Sequence, residues 1–315
     1  MRLQPSSVPL LVLLALPVVV ALFGVPAAVA GALVGLVLLW RWVLTVRTLM
    51  TRRRGPELVL ETIPASHFVE KVRWSMDRLG LEYREQPDIG TVGVLFLGRT
   101  VPRLHVRTGA VTSVIGNSSD ILRYLWGRYA GERPAEAAFL EPTPEAIELE
   151  LRLDRYGAHL QRWLYARLLK HRRVCIYLWG GSDPAVPRWQ RVAIRLLFPV
   201  QRAFLRRVFH IRPSTLAKSV AEIEEFLGWA EERLADGRHT LLGGEQTSYI
   251  DVTFAALSGI WVLPDGYGGG RASAVIPTRE QLPTAMAADM TAWRNRFPAI
   301  TAFVEQLYSA RRGIE

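Results

Sequence analysis

Residues 8–39 carry no charged side chain, and the apolar character continues through Trp40, Trp42 and Val43 to Val46. At about 1.5 Å per helical residue this run reaches roughly 58 Å, nearly twice a hydrocarbon core of about 30 Å. One straight span uses only part of it. Gly24-Val25-Pro26 is a natural break, because Pro26 has no amide hydrogen to give a helix. The run reads as two short apolar helices, residues 8–23 and 27–46, forming a hairpin. A single span from about Ala27 with an apolar lead-in is one alternative. A cleaved signal peptide ending at Ala28-Val29-Ala30 is another, although its charged n-region is only Arg2 and apolar sequence continues well past the site. Arg41, Arg47, Arg52, Arg53 and Arg54 follow. The positive-inside rule places them, and everything after them, in the cytoplasm.

The chain's 315 residues suit about two domains. With 22% charged and 50% hydrophobic residues, a disordered or fibrous chain is excluded. Cys175 is the single cysteine, which rules out a disulfide framework, a CxxC redox pair and a cysteine-rich zinc site. The six histidines form no HExxH or HxxxH pair, so no helical metal site is expected. The net charge of +10 is carried almost wholly by arginine, with lysine only at Lys71, Lys170 and Lys218.

From Glu57 the texture changes. Leu58-Val59-Leu60-Glu61-Thr62 is a short buried-strand signal, and Ile63-Pro64-Ala65-Ser66-His67 is a turn. Residues 68–79 place apolar or semi-apolar side chains at 68, 69, 72, 76 and 79, a helical period. Gly80 sits where a C-cap belongs. Residues 81–85 read as a second strand, completing a βαβ unit. Val94-Leu95-Phe96-Leu97 is ambiguous. Arg103-Leu104-His105-Val106 is a strand directly after Pro102, and Ser113-Val114-Ile115 is another. A helix over residues 121–129 then starts after Asn117-Ser118-Ser119-Asp120, where Asn117 or Ser118 serves as cap.

Three motifs in this order resemble one family. Ser66-His67-Phe68-Val69-Glu70-Lys71-Val72-Arg73 is similar to the S-P-F-V-x-K-V-R element of bacterial glutathione S-transferases of the cytosolic type, with His67 in place of the proline. Val101-Pro102-Arg103-Leu104 resembles that family's V-P-x-L element, whose proline is cis. Ile115 to Leu125 resembles E-S-x-A-I-x-x-Y-L, with Asn117 in place of the usual acidic or Gln residue. The resemblance implies a thioredoxin-like domain followed by an all-α domain. It also implies glutathione as co-substrate, with Ser66 in the position of the serine or cysteine that contacts the thiolate. A fall of about two pKa units in the bound thiol requires roughly 2.7 kcal/mol. One charge-assisted hydrogen bond and a helix N-terminus supply about that. The plainer alternative for Ser66 is an N-cap. Val101 would pair through its backbone with the cysteinyl part of glutathione, as an added strand does. Ser118 would offer helix-start amides to the γ-glutamyl carboxylate. Asn117, being neutral, meets the glutathione ammonium without an ion pair. His67 is expected at the surface, with polarising the site as its alternative role.

Residues 131–144 hold glycine, three prolines and small residues, and read as a linker. From about Glu145 the pattern is helical nearly to the end. Leu241 to Val252 resembles the family's L-x-G-x-x-x-S/T-x-A-D-I stretch. Ser248 and Asp251 have capping-box spacing and are assigned to folding. Gly266-Tyr267-Gly268-Gly269-Gly270 lies in no βαβ unit, so it is a loop and no nucleotide fingerprint. Cys175 reads as a core thiol. Residues 184–221 form a basic insertion with seven arginines, Lys218 and no Asp or Glu. At about 100° per residue, Arg188, Arg191, Arg195, Arg202 and Arg206 fall on one face if helical phase survives Pro199, with Val192, Leu197, Phe204 and Val208 on the others. Such a face suits anionic headgroups, or is simply solvated.

The sequence thus predicts a membrane anchor with basic flank (1–54), an α/β thioredoxin-like glutathione-binding domain (55–130), a linker (131–144) and an all-helical domain (145–315). The expected function is glutathione transfer to a small hydrophobic electrophile at a bacterial inner membrane, on its cytoplasmic side. Membrane lipid is an expected partner and a homodimer an expected assembly; no metal and no nucleic acid are called for. The rival reading is a non-catalytic binding or scaffold module of the same fold. A lipid-binding or lipid-modifying role rests only on the anchor and the arginine face.

Overall fold

The computed structural model describes residues 27–50, 55–87, 101–108, 111–269 and 276–312. The first arm of the expected hairpin, Arg52 to Arg54, Val94 to Leu97 and Gly270 lie outside the described residues. The chain divides into two compact units, residues 1–60 with 104–115 and residues 61–103 with 116–315.

Helix α1 spans Ala27–Met50, four residues beyond the expected end. Val29, Leu33, Leu36, Leu38, Leu39, Trp40, Trp42 and Val43 are all exposed along it. Among the described residues, no helix is long and apolar enough to cross a membrane.

Strand β1 spans Glu57–Thr62, β2 Tyr83–Pro87, β3 Arg103–Thr108 and β4 Val111–Gly116. They form one sheet in the order β2-β1-β3-β4. The continuous apolar run Leu58-Val59-Leu60 is buried, as a strand covered on both faces requires. The outer strand β4 has mostly exposed residues.

In the second unit, helix α2 spans His67–Arg78 and α3 Ser118–Tyr129. The expected linker is itself folded: α4 (Pro134–Ala137) and a 3-10 turn (Ala138–Leu140) occupy it. Pro134 stands in the first turn of α4, where its missing amide leaves no bond unmade. The helices α5 (Pro144–Leu168), α6 (Arg172–Leu178), α7 (Arg188–Val208), α8 (Pro213–Leu234), α9 (Tyr249–Val262), α10 (Thr284–Arg296) and α11 (Pro298–Arg312) follow. Helix α9 is buried along its whole length, which its almost uninterrupted apolar sequence demands. Ser248 and Asp251 form a reciprocal capping box at its start. Asp251 also accepts from the Leu241 amide at 2.7 Å, tying the preceding loop to the helix.

Helix α2 departs most from the sequence reading. Its period marked one apolar face, yet Glu70, Lys71, Arg73 and Ser75 are buried as well. Their charges are paired: Arg73 bonds Glu70 at 2.6 Å and Glu85 at 2.8 Å, and Lys71 bonds Glu150 at 3.2 Å. Tyr308 donates to Glu70 at 3.3 Å.

Helix α7 runs unbroken through Pro199. A proline there withdraws the amide that the Arg195 carbonyl would otherwise receive. The Arg172 guanidinium donates to that carbonyl instead, at 2.6 Å. The apolar side chains of α7 do not spread evenly as expected. Ile194, Phe198 and Leu205 are buried, while Trp189, Val192, Leu196 and Val200 form an exposed ridge. Of the five arginines expected on one face, Arg188, Arg195 and Arg206 are exposed, and Arg191 and Arg202 are half-buried. Arg195 also donates to the Gly181 carbonyl at 3.2 Å.

Candidate functional site

Pro64 and Ala65 make the turn after β1, and the Ser66 amide closes it on the Ile63 carbonyl at 3.0 Å. Ser66 then takes extended backbone angles (φ −77°, ψ 123°) and is the N-cap of α2, its carbonyl accepting from the Glu70 amide at 2.9 Å. Among the described residues its side chain makes no capping hydrogen bond. Ser66 thus occupies the N-cap position through its backbone, without a capping bond from its hydroxyl.

Ser66 lines a cavity of about 310 Å³ together with His67, Phe68 and Val101. The Val101–Pro102 bond is cis. Pro102 is buried and is not part of the wall. The rest of the lining is mostly apolar, with Leu164, Tyr165, Trp179, Phe204, Ile260 and Met286 among its residues, and it also includes Gln161. Phe204, Leu205 and Val208 come from α7, so the basic insertion also builds the cavity. Tyr165 stacks on Phe209 with ring centroids 4.9 Å apart. Tyr267 donates to the Ala65 carbonyl at 3.4 Å, bringing the glycine-rich loop against the turn before Ser66.

His67 overturns its expected placement at the surface. It is 3% exposed, and its ring lies 4.3 Å from that of Phe68. Burial holds its pKa down at about 4, partly offset by a hydrogen bond to the Gly157 backbone. The imidazole is thus neutral near pH 7. Its Nε2 is buried and has no hydrogen-bond partner among the described residues. Gly157 sits close to this ring: a β-carbon on it would stand 3.0 Å from Phe68, a tight contact.

Asn117 and Ser118 lie at the start of α3 and are not among the cavity's lining residues. Asn117 is the N-cap, at φ +64°, a backbone region Asn tolerates better than most side chains. Its Oδ1 accepts from the Ser119 amide at 3.3 Å. Ser118 is buried in the first turn. The next residue, Ser119, accepts from Lys71 at 3.0 Å, which ties the start of α3 to α2. Lys71 belongs to a buried cluster with Glu150, Arg123 and Tyr249 that the sequence reading did not assemble. Its signal was faint: Lys71 stands 79 residues from Glu150. Cys175 is buried, donates to the Leu168 carbonyl at 2.9 Å, and has its pKa pushed up to about 12 by burial. It is a core thiol with no nucleophilic character. Among the described residues, no group of three or more His, Cys, Asp or Glu is placed to hold a metal ion.

No family model matches the chain, and no characterised protein matches it in sequence. Solved structures do match. Glutathione transferase GSTFuA3 from Phanerochaete chrysosporium is 15% identical with a TM-score of 0.51, over 82% of this chain and 98% of that one. FzlA from C. crescentus is 19% identical with a TM-score of 0.45, over 80% and 87%. A glutathione S-transferase from Methylobacterium radiotolerans, in complex with glutathione sulfonate, is 18% identical with a TM-score of 0.44, over 80% and 90%. The fold is the glutathione S-transferase fold, an α/β N-terminal domain followed by a helical C-terminal one.

Proposed function

We propose that this chain is a membrane-anchored, glutathione S-transferase-like enzyme that joins glutathione to a small hydrophobic electrophile. One observation carries the reading: at the N-terminus of α2, Ser66, whose hydroxyl makes no capping bond, lines a predominantly apolar cavity. A thiolate beside that hydroxyl accepts its hydrogen bond and meets the partial positive charge of the helix start. The sulfur then attacks the electrophilic carbon. The sulfur lone pair forms a C–S bond, while the carbon–leaving-group pair departs with the leaving group or the acceptor's π pair shifts away from the attacked carbon. The Val101 backbone beside its cis proline, and Asn117 and Ser118 at the start of α3, are the residues that would hold the rest of the tripeptide.

Two features support the membrane. Helix α1 exposes apolar side chains along its described length, next to the arginine-rich flank. Helix α7 pairs an exposed apolar ridge with Arg188, Arg195 and Arg206, the composition of a helix lying at anionic headgroups. We place the catalytic domains on the cytoplasmic side by the arginine excess after the anchor.

The second reading, a non-catalytic module, is favoured by Asn117, whose amide oxygen is committed to capping and offers no charge to an ammonium group. Calorimetric titration of the full chain with glutathione separates the two. Saturable binding with turnover of an aryl halide supports the enzyme; binding without turnover, or no binding, supports the module.

A further inference from the structure

A second cavity, of about 940 Å³, is lined by α6, the loop after it and α7, and shares only Pro277 with the cavity beside Ser66. Its lining holds Arg172, Arg173, Arg195 and His171, together with Ser182, and among the described residues no Asp or Glu. Two of the guanidinium groups are held by neutral partners. Arg172 donates to the Arg195 carbonyl at 2.6 Å, and Arg195 donates to the Gly181 carbonyl at 3.2 Å. A carbonyl fixes the direction of a guanidinium without cancelling its charge, and most of the group's five N–H donors stay available. Like charges gathered with no carboxylate among them repel one another, so the cluster is stabilised when an anion enters. All four basic side chains are exposed, and a ligand reaches them from solvent.

We infer that this cavity binds a phosphate group, held by Arg172, Arg173 and Arg195. Guanidinium forks engage phosphate oxygens in pairs. A planar carboxylate is satisfied by one such fork, whereas several guanidinium groups around one cavity match the tetrahedral oxygens and double charge of a phosphomonoester. The volume exceeds that of phosphate alone and suits a phosphate carried on a larger molecule. At about 100° per residue, Arg195 stands on the flank of α7 between the buried face of Ile194 and Phe198 and the exposed ridge of Val192 and Leu196. A phosphate at Arg195 therefore has apolar side chains beside it on the outer surface. A lipid headgroup and a soluble phosphomonoester would meet the same arginines, and only the lipid's acyl chains would also use the ridge. The inference is independent of Ser66 and of glutathione.

The test titrates the full chain, in neutral detergent micelles, with glycerol 3-phosphate and with dihexanoyl phosphatidic acid, followed by calorimetry. At least one of them should bind saturably. Binding should weaken roughly tenfold in Arg195→Gln and hold in Arg207→Gln, which removes the same charge from an exposed position of α7 outside the cavity. Arg173→Gln, which leaves the bond from Arg195 to Gly181 in place, is used instead if Arg195→Gln lacks a cooperative unfolding transition. Leu196→Ser separates the two sources: it weakens phosphatidic acid and spares glycerol 3-phosphate where the phosphate belongs to a lipid, and spares both where it belongs to a soluble molecule. Absence of saturable binding for both compounds, an equal loss in Arg207→Gln, or glycerate binding as tightly as the phosphate compounds overturns the inference.

Discussion

Lys71 Nζ lies 3.2 Å from Glu150 Oε1, with both side chains buried, and this pair fastens α2 to α5 inside the second unit. Glu150 also meets Arg123, and the Arg123 guanidinium lies 3.1 Å from the Tyr249 hydroxyl. One carboxylate therefore answers two cations. A buried pair adds little net stability over an apolar equivalent, but removing one partner strands the other.

Glu150→Gln should accordingly destabilise the fold by about 3 kcal/mol near neutral pH, measured by urea unfolding. Burial already holds the Lys71 amine below its ordinary value of 10.5. The unfolded chain keeps that proton to higher pH than the folded one, so stability gains as pH rises through this window. The deficit of Glu150→Gln should therefore shrink between neutral pH and pH 10. A deficit that grows instead would place the unpaired charge elsewhere.

His67 gives a second pH signature at the acid end. Its folded pKa of about 4 lies below the ordinary 6.5. Above pH 6.5 both states are neutral there and no stability depends on the ring. As pH falls, the unfolded chain protonates first, so stability is lost from pH 6.5 down to about 4, by roughly 3 kcal/mol in total. His67→Phe should flatten this part of the stability–pH curve. A curve of unchanged slope would mean that the acid lability arises from other groups.

The ridge and arginines of α7 predict binding to lipid surfaces independent of the anchor. A truncation lacking residues 1–54 should bind vesicles containing anionic lipid, and the binding should weaken as salt approaches 0.5 M, where exposed charges are screened within a few ångströms. Leu196→Glu on the ridge should reduce binding several-fold at constant salt. Equal partitioning onto neutral and anionic vesicles would remove the surface role of the arginines.

Local chemistry made part of this molecule legible in its sequence. Pro64-Ala65-Ser66 before a periodic apolar run marked the turn and helix start, and Ser248 with Asp251 stand three residues apart in the sequence and form a capping box in the structure. These features depend on neighbours a few residues away. The burial of His67, Lys71 and Arg73 depends on distant chain. Helical periodicity identifies one apolar face of α2, while its other faces are covered through groups such as Gly157, Glu150 and Tyr308, whose positions no local pattern reveals. The same holds for the cavity, whose walls join the Ser66 turn to residues as far along the chain as Met286. Pro199 was a reason to doubt the continuity of α7; Arg172, from another helix, supplies the bond that the proline withdraws.

The central claim is that the Ser66 hydroxyl stabilises a bound thiolate. Glutathione bound to the full chain is titrated between pH 5 and 10, and the ultraviolet absorbance of its thiolate is followed for wild type and Ser66→Ala. The account predicts a thiol pKa lowered by about two units in the wild-type complex, with at least half of that shift lost in Ser66→Ala, and glutathione affinity changed far less because other residues hold the rest of the tripeptide. Coincident titration curves for the two proteins would contradict it, and would reduce Ser66 to a residue that only begins a helix.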